Sequence, residues 1–261
     1  FEKFWMEFGP VLKEGYHYDS SNKEKLSDIA LWRSTGIEGW TTLSEYVERM
    51  KEGQENIFVM VGKSLETLKE APQLEVFAKK GVEVLLLTDH VDEFVVGNLT
   101  EYNGNAISDV ARGDVDLASV DSEDASDAET KDVDEASLAP LCELLKKTLE
   151  ESISEVRVSA RLTDSAACLV SPEDSLSPQM EQMMRAMGQE VPSTKRFLEV
   201  NPEHALIQRL SEIHAADQAD ARVAEFGELL YEQALLSEGG QLENPANYAK
   251  RIAAVMARSL S

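Results

Sequence analysis

The chain has 261 residues, of which 43% are hydrophobic and 28% are charged, and this composition is typical of a folded globular protein. Its formal net charge of −24 argues against nucleic acid or an anionic membrane surface as the main partner, because recognition of phosphates needs a basic surface. No apolar run approaches the roughly 20 residues that a membrane-spanning helix needs. The two cysteines, Cys142 and Cys168, have no metal-binding or redox spacing, which indicates free thiols and a reducing, cytoplasmic location.

Helices and strands alternate through the first 110 residues. The apolar spacing predicts helices over residues 26–32, 43–50, 64–80 and 89–99 and strands over 56–61 and 82–87. Thr42 is the expected cap of the second helix, Pro72 divides the third, and Gly81 ends it. Both strands are almost continuously apolar, as parallel strands covered on both faces are. We therefore predict an α/β domain over residues 1–110, an α/β/α arrangement on a small parallel sheet.

Residues 111–135 are predicted to be an acidic linker or mobile loop. The stretch 109–135 holds eleven acidic residues against Arg112 and Lys131, and it contains no aromatic residue. Such a segment buries too little apolar area to offset the entropy that ordering it would cost. A solvated surface loop inside one domain is the alternative.

Residues 136–261 are predicted to form an α+β domain that ends in helices. A leucine stripe predicts a helix over residues 137–152, and two short strands follow at 155–160 and 167–170. Four helical stretches then begin near Ser177, His204, Asp220 and Pro245.

Residues 61–64, Val-Gly-Lys-Ser, lie between a predicted strand and a helix, where a phosphate-binding loop would lie. Ile57 occupies the position of that loop's first glycine, so the backbone cannot form the glycine-rich curve that holds phosphates. A strand-to-helix turn is the better interpretation, and a small-molecule-binding α/β enzyme remains an alternative. The four histidines lack ligand spacing and no nucleophile stands with a base, so we expect no catalytic residue and no metal site.

Half of the chain's eight methionines share one face of a single predicted helix. Met180, Met183, Met184 and Met187 follow one another at helical spacing, Leu176 precedes them, and Ser177 with Pro178 starts the helix. Methionine specifies a packed core poorly but suits a surface that accepts varied partners. This methionine segment (residues 176–187) is thus either a core face or an exposed, adaptable surface.

The last two predicted helices are amphipathic. Their apolar faces comprise Val223, Phe226, Leu229, Leu230 and Leu236 in the first helix and Tyr248, Ile252, Val255, Met256 and Leu260 in the second. Gly239 and Gly240 end the first helix and Pro245 starts the second. The pair would bury its remaining apolar side by forming a four-helix bundle with a second copy, or by docking onto its own domain.

Several sequence blocks, in conserved order and spacing, resemble the 90-kilodalton heat-shock-protein family of chaperones in its bacterial, HtpG type. The blocks are residues 1–33, 43–51 (LSEYVERMK), 89–94 (DHVDEF), 155–169 (EVRVSARLTDSAACL), 198–204 (LEVNPEH) and 234–245 (ALLSEGGQLENP). The resemblance implies that the chain corresponds to the second part of that family's middle domain and to its C-terminal dimerisation domain. The ATPase domain and the middle-domain arginine that reaches the ATP phosphates would then lie outside the chain, so no ATPase activity and no ATP or magnesium site is expected in it.

The resemblance also implies which residues contact partners. Partly folded client proteins would contact Glu93 and Phe94, where the family has Glu-Trp, and the apolar face of the methionine segment. Gly97 stands where the family has a polar Asn, so no side chain at this position can form that residue's hydrogen bonds. The last two helices would form a homodimer, and the absence of an acidic tail peptide implies no tail-docked co-chaperones. A purely structural dimerisation module remains an alternative.

Overall fold

The computed structural model describes residues 1–115, 117, 120, 135–173, 175–177, 180–181, 184–185, 188–189 and 194–259. Its first part, up to residue 120, places helices on both faces of one sheet. The elements are α1 (Glu2–Lys13), α2 (Gly15–Tyr18), α3 (Lys23–Ile29), β1 (Arg33–Ser34), α4 (Leu43–Glu48), β2 (Asn56–Val61), α5 (Leu65–Lys69), α6 (Glu75–Lys80), β3 (Leu85–Leu87), α7 (Asp92–Asn98), β4 (Glu101–Tyr102) and β5 (Asn105–Asp109).

The strand order of this sheet is β1-β3-β2-β5-β4. Both β3 and β5 pair in parallel with the central strand β2, with Val59 opposite Leu85 on one side and opposite Asp109 on the other. The two edge strands are antiparallel to their neighbours. The predicted parallel sheet is confirmed for its centre, whereas the edge strands and β5 were missing from the prediction.

Strand β2 shows why the sheet is covered on both faces. Ile57 and Val59 point into the core that contains Trp5 and Tyr46, while Phe58 and Met60 point into the core that contains Phe77. Side chains alternate between the faces of a strand, so an uninterrupted apolar run needs a helix layer on each side. Burial of each of these side chains contributes about 1.5–3 kcal/mol.

Local signals set several helix ends as predicted. Thr42 and Glu45 form a reciprocal capping box at the start of α4, and Gly81 ends α6 with a φ of +64°. The helix predicted over residues 26–32 is wrong at its end. Helix α3 stops at Ile29, and Trp32 instead pairs with Thr41 in an antiparallel bridge.

The predicted acidic linker begins too early. Val110, Leu117 and Val120 are buried in the same core as Phe77, and the Lys80 ammonium donates to the carbonyls of Leu117 and Val120. These apolar residues are spaced through the acidic stretch, and their burial attaches its beginning to the first sheet. Residues 121–134 lie outside the described residues.

The second part contains α8 (Glu135–Thr148), β6 (Ile153–Val158), β7 (Ala167–Val170), β8 (Arg196–Val200), α9 (Ala205–Ala216), α10 (Ala221–Ser237) and α11 (Pro245–Ser259). Its sheet has the order β6-β8-β7, with β6 parallel and β7 antiparallel to β8. The starts of α9, α10 and α11 agree with the prediction. Strand β8 was missed, because Arg196-Phe-Leu-Glu-Val200 is short and mixes charged with apolar residues.

Arg161 connects the two parts from a buried position. Its side chain, 4% exposed, donates through Nε to Glu199 Oε2 (2.9 Å), through Nη1 to the Val110 carbonyl (2.6 Å) and through Nη2 to the Gly113 carbonyl (2.7 Å). Ser159 also donates to Glu199 Oε2, at 2.8 Å. A buried ion pair with these additional hydrogen bonds has its polar atoms satisfied.

Glu75, near the start of α6, forms a second link. Its carboxylate accepts hydrogen bonds from the backbone N–H groups of Thr163 (2.7 Å), Asp164 (2.8 Å) and Ser165 (3.0 Å). We refer to Arg161, Glu199, Glu75 and the loop 163–165 as the junction. Its bonds hold the second sheet against the first.

Candidate functional site

A cavity of about 390 Å³ lies between the two parts, beside the carboxyl ends of β2 and β5. Crevices at this edge of an open α/β sheet are common binding places. Here the walls are charged, with Glu93, Asp109 and Arg112 from the first part and Glu181 and Arg196 from the second. Residues 237–241, at the end of α10 and just after it, close one side.

The Val-Gly-Lys-Ser turn lines this cavity but is not arranged to bind phosphate. The Gly62 N–H donates to the carbonyl of Leu87 (3.0 Å), and a Cβ at Gly62 would lie 2.6 Å from Leu68 Cδ2. Gly62 is therefore required by close packing. Ser64 Oγ accepts from the N–H of Thr67 and caps α5 (3.2 Å), and Lys63 Nζ donates to the carbonyl of Gly239 (3.3 Å). These groups already have partners, as in a strand-to-helix turn.

Glu93 lines the cavity with most of its side chain buried, and its predicted client contact stays a prediction. Its side chain is 8% exposed, and Oε2 lies 3.5 Å from Arg112 Nη2. Burial raises the pKa of the Glu93 carboxyl, although the hydroxyl of Ser177 and the charge of Arg112 oppose that shift. Phe94, the next residue, is half-buried, with its ring 5.7 Å from that of His17. Phe94 is the residue of this pair that offers apolar surface.

Arg112 makes contacts that the sequence pattern could not reveal. Its Nε lies 3.0 Å from Asp109 Oδ2, its Nη2 reaches Glu93, and its Nη1 donates to the carbonyl of Ser175 (3.0 Å). The guanidinium thus joins α7, β5 and the residue before Leu176. The acidic composition around Arg112 suggested a linker, so only the tertiary structure identifies this residue.

The methionine segment is described in part. Leu176 is 40% exposed, and Met180 and Met184 are helical and half-buried. Ser177 Oγ accepts from the N–H of Met180 (3.0 Å), as expected of a helix cap. Met183 and Met187 lie outside the described residues.

The residues that follow Met180 and Met184 in the methionine segment, Glu181 and Arg185, are charged. Glu181 is 8% exposed and accepts from the N–H of Thr194 (3.0 Å), and Arg185 pairs with it at 3.2 Å. Both line the cavity. The described part of the segment therefore combines charged side chains that line the cavity with apolar side chains that retain exposed surface.

The C-terminal helix pair, α10 and α11, divides its predicted interface residues into two groups. Val223, Leu229 and Leu230 are at most 4% exposed, because α10 packs against α8 and β7 of its own chain. The side chains of these three residues keep almost no exposed surface in the single chain, and the dimer interface itself stays a prediction. The residues that keep exposed surface are Phe226, Leu236, Tyr248, Ile252, Val255 and Met256, with Leu236 at 41% and Met256 at 61%. Leu260 lies outside the described residues.

Ion pairs connect α11 to α10. Arg251 pairs with Glu228 and Glu232, and Arg258 Nη2 lies 2.6 Å from Glu225 Oε1. In the C-terminal helix pair, acidic residues of α10 thus face basic residues of α11. The apolar side chains that lie away from these ion pairs remain partly exposed.

The described residues offer neither a membrane-spanning helix nor a metal-binding cluster. None of the helices there is long and apolar enough to cross a membrane. Within the same part of the chain, no three histidine, cysteine, aspartate or glutamate side chains are grouped so that they could hold a metal ion.

The whole sequence, residues 1–261, matches the family profile described as "Hsp90 protein". Among curated proteins, "Chaperone protein HtpG" of Mycobacterium tuberculosis is 47% identical over 263 residues, which cover 100% of this chain and 40% of that protein. The HtpG of Chromobacterium violaceum is 45% identical over 98% of this chain and 40% of its own length. That of Geobacter metallireducens is 45% identical over 97% and 39%. The chain thus spans about 40% of the length of these relatives.

Proposed function

The chain belongs to the Hsp90 protein family, and from that premise we propose that it is the client-holding and dimerising portion of a molecular chaperone. The observation that carries client binding is the methionine segment, where exposed Leu176 adjoins the half-buried Met180 and Met184. Reversible burial of a client's apolar side chains requires such a surface, and flexible methionines adapt to varied partners. Phe94 on α7 supplies a second apolar contact.

Client binding is tested with the variant Leu176→Ser/Met184→Ser, assayed by suppression of aggregation of a heat-denatured model protein. We expect weaker suppression at an unchanged urea midpoint, because both side chains have exposed surface. Phe8→Ser is the matched control, since Phe8 is an equally apolar side chain, 53% exposed on α1. Equal losses in both variants, or a much lower midpoint in the double variant, would contradict the assignment.

Homodimerisation is the second part of the proposal. Leu236, Ile252, Val255 and Met256 keep apolar surface that a second α10–α11 pair would cover in a four-helix bundle. Two copies would also present two client surfaces, which raises the effective affinity for an extended client.

Ile252→Lys/Met256→Lys tests the dimer by placing charges on the exposed apolar face of α11. We expect the mass measured by light scattering at micromolar concentration to fall from that of a dimer to that of a monomer. Ala254→Lys is the control, because it shares a helix face with Lys250. A monomeric unmodified chain, or a dimer that survives the double substitution, would refute this part of the proposal.

The parent protein, by family, is proposed to be an ATP-driven, cytoplasmic chaperone whose ATP and magnesium bind outside this chain. A small-molecule-binding enzyme at the cavity is the second candidate, favoured only by the cavity's position at the sheet edge. Calorimetric titration with ATP and Mg²⁺ separates the two. Binding by this chain would favour the second candidate, and we expect none because Gly62 and Ser64 are engaged within the fold.

A further inference from the structure

The two proposed client elements are joined through one side chain. The guanidinium of Arg112 contacts Glu93, the neighbour of Phe94 on α7, and donates to the carbonyl of Ser175, the neighbour of Leu176. The two contacts use different nitrogens, Nη2 and Nη1, so both are made at once. Since a guanidinium is planar and rigid, it fixes the direction of each partner as well as its distance.

The main chain around Arg112 is itself anchored to the second part of the molecule. Arg112 and Ser171 form a parallel bridge, in which the N–H of Gly113 donates to the Ser171 carbonyl (2.9 Å) and the N–H of Ser171 donates to the Ala111 carbonyl (3.0 Å). Arg112 is thus held where the two parts of the chain meet. Its side chain, 21% exposed, therefore extends from an anchored main chain.

Charge makes Arg112 difficult to replace. The side chains of Glu93 and Asp109 are each 8% exposed, and both carboxylates lie beside this guanidinium. Burial raises the pKa of each carboxyl, which shows that the ionised forms depend on nearby stabilisation. Without Arg112, two like charges would remain in a partly closed space, and α7 would be pushed away from β5.

We infer that Arg112 is a positioning residue, which holds α7 and the chain at Ser175 and Leu176 at a fixed separation so that Phe94 and Leu176 can engage one client together. This inference rests on the proposed client binding. It also gives Glu93 a different role from the one its family position implies, because Glu93 acts through Arg112 and not by touching the client.

The test measures separation and client affinity in the same protein. Spin labels are placed at Gly97→Cys, which is exposed with open space around it, and at the exposed Gln189→Cys, with the half-buried Cys142 changed to Ser. We expect a narrow distance distribution in the otherwise unmodified chain and a broader one in Arg112→Gln. The dissociation constant for an unfolded model client should rise about fivefold in that variant. Arg112→Lys keeps a charge near both carboxylates but lacks the planar fork that also reaches the Ser175 carbonyl, so it should restore only a small part of both readouts.

Arg49→Gln is the matched control, since Arg49 also pairs with a glutamate, Glu83, but at 2.9 Å and away from both client elements. It should change neither readout. Glu93→Gln keeps the shape of the side chain and removes its charge. It tests the same contact if Arg112→Gln fails to fold. When Glu93→Gln and Arg112→Gln are combined, the loss of affinity should be less than the product of the single losses, because both act through one contact.

The possible failures are distinguishable. A narrow distance distribution in both Arg112→Gln and Glu93→Gln would overturn the inference while leaving the proposed function intact. Broader distances with unchanged client affinity would also overturn it, provided that Leu176→Ser/Met184→Ser weakens binding. If that double variant binds the client normally, the proposed function fails and the positioning role fails with it.

Discussion

The junction and the C-terminal helix pair both rely on ion pairs, but they place them in opposite environments. At the junction Arg161 and Glu199 are 3% and 4% exposed, and backbone carbonyls accept hydrogen bonds from the other nitrogens of the Arg161 guanidinium. In the helix pair the Arg258 side chain is 50% exposed and that of its partner Glu225 29%. Removing one member of a buried ion pair destabilises the fold strongly, whereas an exposed ion pair contributes little to the free energy of unfolding.

This difference shows which contacts the single chain completes by itself. The hydrogen bonds and ion pairs of the junction all form within one chain, so they fix the position of one sheet relative to the other without a partner. Helix α11 is held to α10 by partly exposed ion pairs, and its Met256 is 61% exposed. Its position needs further apolar cover, which the proposed dimer would supply.

Arg161→Met should have the largest effect, because it removes one of the two arginines that pair with buried Glu199 and leaves the Val110 and Gly113 carbonyls without their donor, although Arg157 Nη2 stays 3.0 Å from Glu199 Oε1. We expect the free energy of unfolding to fall by about 3 kcal/mol, measured by urea denaturation. Arg209→Met is the control. Arg209 pairs with Glu212 at the surface, with 68% of its side chain exposed, and its loss should cost less than about 0.5 kcal/mol. Similar losses in both variants would remove the contrast between buried and exposed pairs.

Gly227→Ala tests the packed side of the helix pair. A Cβ at Gly227 would lie 2.6 Å from Cδ2 of Leu145, which is fully buried on α8, so either the Leu145 side chain or α10 would have to move. Overpacking of this kind costs about 1–3 kcal/mol in unfolding free energy. Gly97→Ala on α7 is the matched control, because it meets open space and should gain about 0.5–1 kcal/mol from helix propensity. An unaffected Gly227→Ala protein would show that α10 is not fixed against α8.

Glu75→Gln tests the other half of the junction through its pH dependence. Burial tends to raise the pKa of Glu75, but the N–H groups of Asp164, Thr163 and Ser165 lower it overall. The unfolded chain then binds the proton more readily. The stability due to Glu75 is therefore present above about pH 4.5 and is lost as the pH falls through the lower folded pKa.

Because Glu75 is partly exposed, solvent screening limits this contribution to about 1 kcal/mol or less. The unfolding free energies of Glu75→Gln and the unmodified chain should differ at pH 7 and converge in acid. Glu212→Gln, at an exposed pair, is the control for a general charge effect. A difference that grows as the pH falls would have the wrong sign for this account.

Signals between near neighbours in sequence could be predicted, as the capping box of Thr42 and Glu45 and the left-handed Gly81 show. An apolar pattern does not identify the surface against which it packs. The stripe of α10 left docking onto its own domain and pairing with a second copy both open, and the structure places Val223 and Leu230 in the chain's own core. The contact between Glu93 and Arg112 depends on how β5 and α7 pack, and an acidic composition around Arg112 concealed it.

Met256→Ser should change the stability of an isolated protomer least, by about 0.5 kcal/mol or less, because its side chain is already mostly in water. The substitution should lower the stability of the chain appreciably only when a second copy is bound. The urea midpoint of a homodimer rises with protein concentration, since association stabilises the folded form. We expect this concentration dependence in the unmodified chain and a weaker one in Met256→Ser, measured between about 0.1 and 50 μM. Ala254→Ser, on the helix face of Lys250, is the control. If Met256→Ser lowers the midpoint equally at every concentration, Met256 stabilises its own protomer. The helix pair, like the junction, would then need no second copy for its stability.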